Sequence, residues 1–130
     1  MPARKPTTAS RPVARFRLRV TGGETIFVGP GKIALLEAIR ETRSITAAAI
    51  SMGMSYRRAW ILVDELNRSL ASAAVASAIG GERGGGSTLT ELGQELVDTY
   101  RRIEATATRA AAKDIDRLLG LVAKRPRSSP

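Results

Sequence analysis

The first part of the chain alternates apolar and basic residues. FRLRV (16–20) has the two-residue period of a half-exposed strand. TGGE (21–24) is a turn signal, and TIFV (25–28) is a second strand candidate. The pattern predicts a β-hairpin, preceded by a stretch rich in Pro, Ser, Thr and basic residues (1–14) that we expect to be disordered.

Three helices are predicted after the hairpin. The first begins near Pro30, because a proline in the first helical turn has no N–H bond to lose. Ser44 or Thr46 can cap a short, alanine-rich second helix that ends at Gly53, and Ser55 can cap a third. Apolar residues lie on one face of the first and third helices: Ile33, Leu36 and Ile39, then Ala59, Leu62, Val63, Leu66 and Leu70.

The last third of the chain predicts a weak hairpin and a long helix. VASAI (75–79) is a weak strand candidate, and the glycine-rich segment GGERGGG (80–86) follows it. Thr90, with Glu91 in the first turn, opens a helix expected to reach about Ala123. Its first apolar residues are spaced at three and four: Leu92, Leu96, Tyr100 and Ile103.

The second and third helices have the spacing of a helix-turn-helix, with Gly53–Ser55 as the turn. The N-terminal end of the second helix in this motif enters the DNA major groove, and Ser55, Tyr56, Arg57 and Arg58 stand there. Arginine can bond guanine or clamp phosphates, and the hydroxyl groups can bond phosphate oxygens. The competing interpretation is an ordinary surface helix that carries two arginines.

Three further residues of the third helix bear on this hypothesis. Asp64 and Glu65 would repel phosphate, so we expect them to face away from DNA or to lie beyond the contact zone. Trp60 adjoins the apolar stripe, and a core position is favoured over base stacking.

The glycine-rich segment has two possible functions. A nucleotide-binding loop needs GxxxxGK[ST], but here Gly86 stands where the lysine belongs. The pattern instead favours a hairpin tip, in which Arg83, Gly84 and Gly85 approach a DNA backbone or minor groove. Glu82 is an unfavourable neighbour for such a contact, and a surface loop without any contact is the alternative.

Composition narrows the function classes. The net charge is +9, but it comes from the two ends, because residues 21–120 contain equal numbers of acids and bases. Cysteine and histidine are absent, which excludes disulfides, thiol chemistry and histidine-based catalysis. No carboxylate pair predicts a catalytic site, so we expect neither enzyme activity nor a cofactor. No apolar run suggests a signal peptide or membrane span, and a cytoplasmic protein is expected.

Two stretches, LLEAIRETRSITAAAISMGMSYRRAWILVDELN and IGGERGGGSTLTELGQELVDTY, together resemble a known domain. They are similar to the N-terminal DNA-binding domain of ModE-type molybdate-responsive regulators, which is related to that of LysR-type regulators. The resemblance covers roughly residues 16–112. Its most specific features are SYRRAW with Asn67 seven residues after Trp60, and the glycine-rich segment followed by Leu89, Thr90 and Gly93.

The resemblance implies a mainly α-helical winged helix-turn-helix that dimerises through its long terminal helix and binds palindromic operators on double-stranded DNA. It places Thr46 at the start of the helix before the recognition helix, Ser55 to Arg58 at the start of the recognition helix, and Arg83 with Gly84–Gly86 at the wing tip. Ile79 stands where the family has threonine, which puts a phosphate contact at the base of the wing in question. The alternative is a winged-helix protein-interaction module that does not bind DNA.

Four segments are expected on this basis. They are a basic tail (1–14), the winged helix-turn-helix domain (15–90), a dimerisation helix (91–123) and a second disordered basic tail (124–130). The dimer interface is expected at Leu96, Tyr100 and Ile103. Full-length family members carry molybdate-binding modules after this domain, whereas few residues follow the long helix here, so a single-domain form that does not itself bind molybdate is expected.

Overall fold

The computed structural model describes residues 11–77 and 86–122, and these residues form four short strands and five helices. In chain order they are β1 (Val20–Gly22), β2 (Thr25–Val28), α1 (Pro30–Thr42), α2 (Ile45–Ser51), α3 (Tyr56–Ser69), β3 (Val75–Ser77), β4 (Ser87–Leu89), α4 (Glu91–Ala110) and α5 (Ala112–Gly120). Each of the two antiparallel pairs, β1 with β2 and β3 with β4, forms its own two-stranded sheet. The mainly helical architecture with small hairpins is the one predicted from the sequence.

The first hairpin forms later in the chain than its alternating pattern predicts. The segment FRLRV contributes only Val20 to β1, and the strand continues through Gly22, in what was expected to be the turn. Gly23 adopts a φ of +60°, a left-handed conformation that favours glycine, so the chain reverses there. Thr21 then faces Ile26, and Gly22 faces Thr25. The position of the turn, rather than the alternation before it, sets the register.

Short side chains begin the helices. Ser44, rather than Thr46, caps α2, because the Ala47 N–H donates to Ser44 Oγ at 2.9 Å. Ser55 caps α3 as predicted, accepting from the Arg58 N–H at 3.1 Å. Thr90 precedes α4, and its Oγ1 accepts from the Gly93 N–H at 3.0 Å. These hydroxyls satisfy backbone donors that a helix leaves without partners at its N-terminus.

The chain divides into two compact units. The larger comprises Arg17–Ile103, and the described part of the smaller comprises residues 11–16 and 104–122. The larger unit contains the hydrophobic core. Its largest fully buried side chains are Ile33, Leu35, Leu36, Ile39, Leu66 and Val97. The predicted apolar face of α3 is confirmed in its centre, where Ala59, Val63 and Leu66 are buried, whereas Leu62 and Leu70 are partly buried.

Trp60 corrects one prediction. Its side chain is 49% exposed and does not belong to the core. Successive residues of a helix are separated by about 100° around its axis, so a residue directly after the buried Ala59 leaves the apolar face. Adjacency in sequence to a buried stripe was therefore a misleading signal.

The predicted C-terminal helix is interrupted. α4 ends at Ala110, and α5 begins at Ala112. Ala111, between them, has φ −102° and ψ 13°. Hydrogen bonds continue on both sides, from the Ala111 N–H to Ala107 O and from the Ile115 N–H to Ala111 O, so the distortion is local. Alanine is the best helix former, and its propensity gives no sign of this interruption.

None of the helices within residues 11–77 and 86–122 is long and apolar enough to cross a membrane.

Candidate nucleic-acid interface

The helix-turn-helix is assembled from α2, a glycine turn and α3. Gly53 adopts a φ of +70°, which allows the chain to leave α2 sharply, and the Met54 N–H closes the turn on Ala49 O at 3.0 Å. Ala48 and Ala49 are essentially fully buried, and their small side chains let α2 pack closely in the core. The turn thus leads directly to the Ser55 cap of α3.

The start of α3 presents its side chains to solvent. Ser55, Tyr56, Arg57 and Arg58 are all exposed, and the Tyr56 side chain is 52% accessible. The Ser55 Oγ accepts the capping bond, which leaves its hydroxyl hydrogen available as a donor. Thr46 is also exposed, at the second position of α2. Each sequence-predicted contact residue in these two helices therefore lies at a helix start with an accessible side chain.

The exposed surface of α3 also contains apolar side chains that the sequence did not single out for DNA contact. Trp60 lies one turn after Tyr56, and Ile61, which is 37% exposed, follows it. Residues four apart are neighbours on a helix surface, so Tyr56 and Trp60 lie on the same side of α3. The sequence did contain a signal for this exposure: Trp60 directly follows Ala59, whereas residues on the same face of a helix are three or four positions apart.

Both acidic residues of α3 are engaged in ion pairs. Asp64 pairs with Arg68 at 2.9 Å, and Glu65 pairs with Lys32 of α1 at 3.3 Å. The Lys32 ammonium also donates to the Ile26 carbonyl at 2.8 Å. The negative charge behind the tip of α3 is therefore partly compensated within the larger unit.

Hydrogen bonds from α3 and from Thr90 hold the base of the second hairpin. Asn67 accepts from the N–H groups of Ala74 and Val75, and its amide donates to Val75 O. The Thr90 N–H donates to Ala74 O, and its hydroxyl donates to Ala73 O. Strand pairing then aligns Val75 with Leu89.

The predicted hairpin tip lies outside the described residues. This applies to the proposed DNA contacts of Arg83, Gly84 and Gly85, and to Ile79. The strands that lead into and out of the tip, β3 and β4, are present. VASAI forms a strand as predicted, over Val75–Ser77.

The three residues expected at a dimer interface lie in different environments. Leu96 is partly buried against the core, and Ile103 is 48% exposed. Tyr100 is only 3% exposed, and its hydroxyl donates to Leu18 O at 2.7 Å. Tyr100 therefore packs within its own unit and leaves little accessible surface for a second copy, while its place at a dimer interface stays a prediction. The spacing of three and four is common to core and interface positions and could not separate them.

Comparison with known proteins identifies relatives of this chain, although no family model matches it. It is 46% identical over 78 residues to the molybdenum-pterin-binding protein MopB of Rhodobacter capsulatus, covering 60% of this chain and 29% of that protein. It is 37% identical over 97 residues to the molybdenum transport protein ModE of Azotobacter vinelandii, covering 75% of this chain and 35% of that protein. The DNA-binding transcriptional dual regulator ModE of Escherichia coli K12 is 38% identical over 77 residues, covering 59% and 29%. The match spans about a third of the length of these relatives.

A solved structure shares the fold. The crystal structure of the CbnR DNA-binding domain in complex with DNA matches 65% of this chain and 91% of that one, with a TM-score of 0.50 and 21% sequence identity. This likeness supports the winged helix-turn-helix architecture. The chain is thus a homologue of the ModE, MopA and MopB proteins over about 60–75% of its length, with the fold of a winged-helix DNA-binding domain.

Proposed function

We propose that the protein is a sequence-specific DNA-binding transcription regulator that inserts the start of α3 into the major groove. The observation that carries this proposal is the exposed cluster of Tyr56, Arg57 and Arg58 at the end of a helix whose opposite face is anchored in the core. The E. coli relative is named a DNA-binding transcriptional regulator, and the structural neighbour is bound to DNA, which supports the same function. On this proposal the protein acts in regulation rather than in catalysis, and in the cytoplasm.

Each proposed contact residue has a chemical group suited to bases or phosphates. Arg57 and Arg58 bond guanine edges or phosphates through their forked guanidinium groups. The hydroxyl groups of Thr46, Ser55 and Tyr56 donate to phosphate oxygens, which fixes the register of α3 on the duplex. At the hairpin tip, Arg83, Gly84 and Gly85 contact the flanking backbone, as the sequence predicts.

The regulator acts as a homodimer on a palindromic operator. On α4, Leu96 and Ile103 remain candidates for the interface. In the smaller unit, α5 and the two residues after it add an apolar stripe at Ile115, Leu118, Leu119 and Val122, and no residue of α5 is buried. Leu118 is 57% exposed, and Val122 is 46% exposed. A short chain gains stability by covering such a stripe with a second copy.

The dimer is tested by light scattering of a Leu118→Glu variant. The charge faces apolar side chains across the proposed interface, so we expect a shift from dimer to monomer. Lys113→Glu, a charge change at an exposed position of α5 outside the stripe, should leave the mass unchanged. Equal masses for wild type and Leu118→Glu would remove α5 from the interface.

The regulated genes are proposed to concern molybdate metabolism, by analogy with the names of the relatives. The match covers only about a third of those proteins. The proposal is therefore about which genes are regulated, and it does not include a molybdate-binding site in this chain. Selection of bound duplexes from random DNA identifies the operator, and its positions in a genome then test the link.

The recognition helix is tested by mobility shift on the selected duplex. We expect Arg57→Ala and Arg58→Ala each to cost about 1–3 kcal/mol and to relax specificity at one position if the side chain reads a base. A phosphate contact would instead weaken all sequences equally. The matched control is Arg102→Ala, Arg109→Ala, which removes two exposed charges from α4 and should bind normally. Undiminished binding by the Arg57→Ala, Arg58→Ala protein would refute the assigned tip.

A protein-interaction module without DNA binding is the second candidate. The balanced charge of residues 21–120 favours it, because DNA-binding surfaces are usually basic. Ionic strength separates the two: DNA affinity falls steeply as salt increases, whereas an apolar protein interface depends on salt only weakly.

A further inference from the structure

A cleft of about 740 Å³ lies beside α3 within the larger unit. It is bordered by the segment before β1, the first hairpin, the start of α1 and one side of α3. Ile26, Met54 and Leu62 supply apolar parts of its wall. Five basic side chains line it together with two carboxylates, Glu24 and Glu65.

Two of the five basic side chains are already neutralised. Lys32 is buried and bound to Glu65, and Arg68 is paired with Asp64. The other three are Arg17, Arg19 and Arg58, and within the described part of the chain no carboxylate lies within 4 Å of their guanidinium groups. Glu24, which also lines the cleft, offsets one of these three charges, so the cleft keeps a net positive charge.

The segment that carries Arg17 and Arg19 is fixed in place. Between them, the Leu18 side chain packs against the core, and its carbonyl accepts the Tyr100 hydroxyl at 2.7 Å. Tyr100 is itself buried, so its hydroxyl has a constrained position. With Leu18 held inward, the two flanking arginines line the cleft.

Arg58 connects this cleft to the proposed recognition surface. It belongs to the first turn of α3 and also lines the cleft. If the tip of α3 enters a major groove, the phosphates that border that groove lie beside the first turn of the helix, which contains Arg58. The positive charge of Arg17 and Arg19 then extends the basic surface away from the tip.

We propose that Arg17, Arg19 and Arg58 form a second contact with DNA, in which their guanidinium groups hold backbone phosphates of the strand bordering the occupied groove. The proposal rests on the proposed function and deepens it. Guanidinium forks match phosphate oxygens geometrically, and such contacts give affinity and register without reading sequence. Tyr100 is a positioning residue for this contact, because it acts through the backbone of Leu18.

The salt dependence of binding tests the contact. Affinity for the selected duplex is measured between about 50 and 200 mM NaCl, where each phosphate contact contributes about 0.9 to the slope of log K against log salt. We expect Arg17→Gln, Arg19→Gln to reduce that slope by about 1.8 for each bound subunit, which is about 3.6 for the proposed dimer, and to weaken operator and random duplexes equally. Arg102→Ala, Arg109→Ala removes the same charge outside the cleft and should keep the wild-type slope.

Tyr100→Phe provides a second test that does not alter any charge. Loss of the hydroxyl removes the hydrogen bond that holds Leu18 and, with it, the flanking Arg17 and Arg19. We therefore expect a reduced slope of log K against log salt and an unchanged sequence preference. Circular dichroism establishes that each variant is folded before its slope is compared.

The outcomes separate this inference from the proposed function. An unchanged slope for Arg17→Gln, Arg19→Gln, together with weakened binding by Arg57→Ala, overturns the cleft contact and leaves the recognition helix in place. A cleft that binds inorganic phosphate in calorimetry while the DNA slope stays unchanged also overturns it, in favour of a free anion. A wild-type protein that binds no duplex at all removes the proposed function and the inference together.

Discussion

Replacing Gly93 by alanine should destabilise the protein, although the same change usually strengthens a helix. A Cβ atom added to Gly93 would lie 3.1 Å from the carbonyl carbon of Ala74 and would overlap the carbonyl oxygen. Its distance to that oxygen is below 3.0 Å, which Cβ atoms in proteins essentially never show. Ala74 is held in place, because its carbonyl accepts the Thr90 N–H at 2.9 Å and its N–H donates to Asn67 at 2.8 Å. The clash cannot be relieved without moving hydrogen-bonded backbone.

The magnitude follows from two opposing effects. Alanine in a helix interior is favoured over glycine by about 0.5–1 kcal/mol. Overpacking costs about 1–3 kcal/mol, and breaking the Thr90 bond adds about 1 kcal/mol. We therefore expect a net loss of about 1–3 kcal/mol in the free energy of unfolding, because the steric cost exceeds the helical gain.

Urea unfolding followed by circular dichroism measures the loss. The control is Gly31→Ala in α1, where an added Cβ meets nothing within 4 Å, and which should be neutral or stabilising by up to about 1 kcal/mol. If Gly93→Ala proved as stable as Gly31→Ala, the close packing of α4 on Ala74 would be wrong.

Three further changes test other contacts. Asn67→Leu leaves the N–H groups of Ala74 and Val75 without their acceptor, so urea unfolding should show a loss of about 2–4 kcal/mol. Trp60→Ala should cost less than about 1 kcal/mol of stability, against about 3–5 for a core tryptophan. We also expect weaker DNA binding in mobility shifts, because Trp60 lies on the same exposed side of α3 as Tyr56. A large loss of stability would contradict the exposed position of Trp60. Arg101 bonds Glu37 at 2.7 Å and lowers the pKa of that carboxyl. A lowered folded pKa means that its stabilisation is present above the unfolded pKa and is lost as the pH falls through the folded value, so Glu37→Gln should flatten the pH dependence of unfolding below about 4.5.

Features specified by local chemistry could be predicted from the sequence. Ser55 and Thr90 begin helices because a hydroxyl satisfies a free backbone N–H, and that requirement depends on only three or four neighbouring residues. Gly53 ends α2 for an equally local reason, its positive φ. The exposed tip of α3 followed directly, since a cap and the buried stripe together define which residues remain outside.

Features that depend on distant packing could not be predicted. The spacing of Tyr100 fits a core or a dimer interface equally well, and its bond to Leu18, 82 residues away, could not be foreseen from that spacing. Trp60 shows the same limit in reverse, because hydrophobicity alone does not say whether a side chain faces the core. The ion pair between Lys32 and Glu65 also joins residues with no sequence pattern in common.

The hydrogen bonds of Asn67 and Thr90 to residues 73–75, here called the 73–75 clamp, affect how two recognition helices could be spaced. Asn67 of α3 and Thr90 at the start of α4 bind the same short backbone segment from two sides, and Gly93 lets α4 approach it closely. The first part of α4 is thereby fixed to α3 within one unit. If two copies associate through α4, the distance between their α3 tips follows from rigid geometry rather than from a flexible linker. Since half-sites lie about one helical turn (~34 Å) apart on DNA, a weakened clamp should loosen the required operator spacing before it abolishes binding to a single half-site.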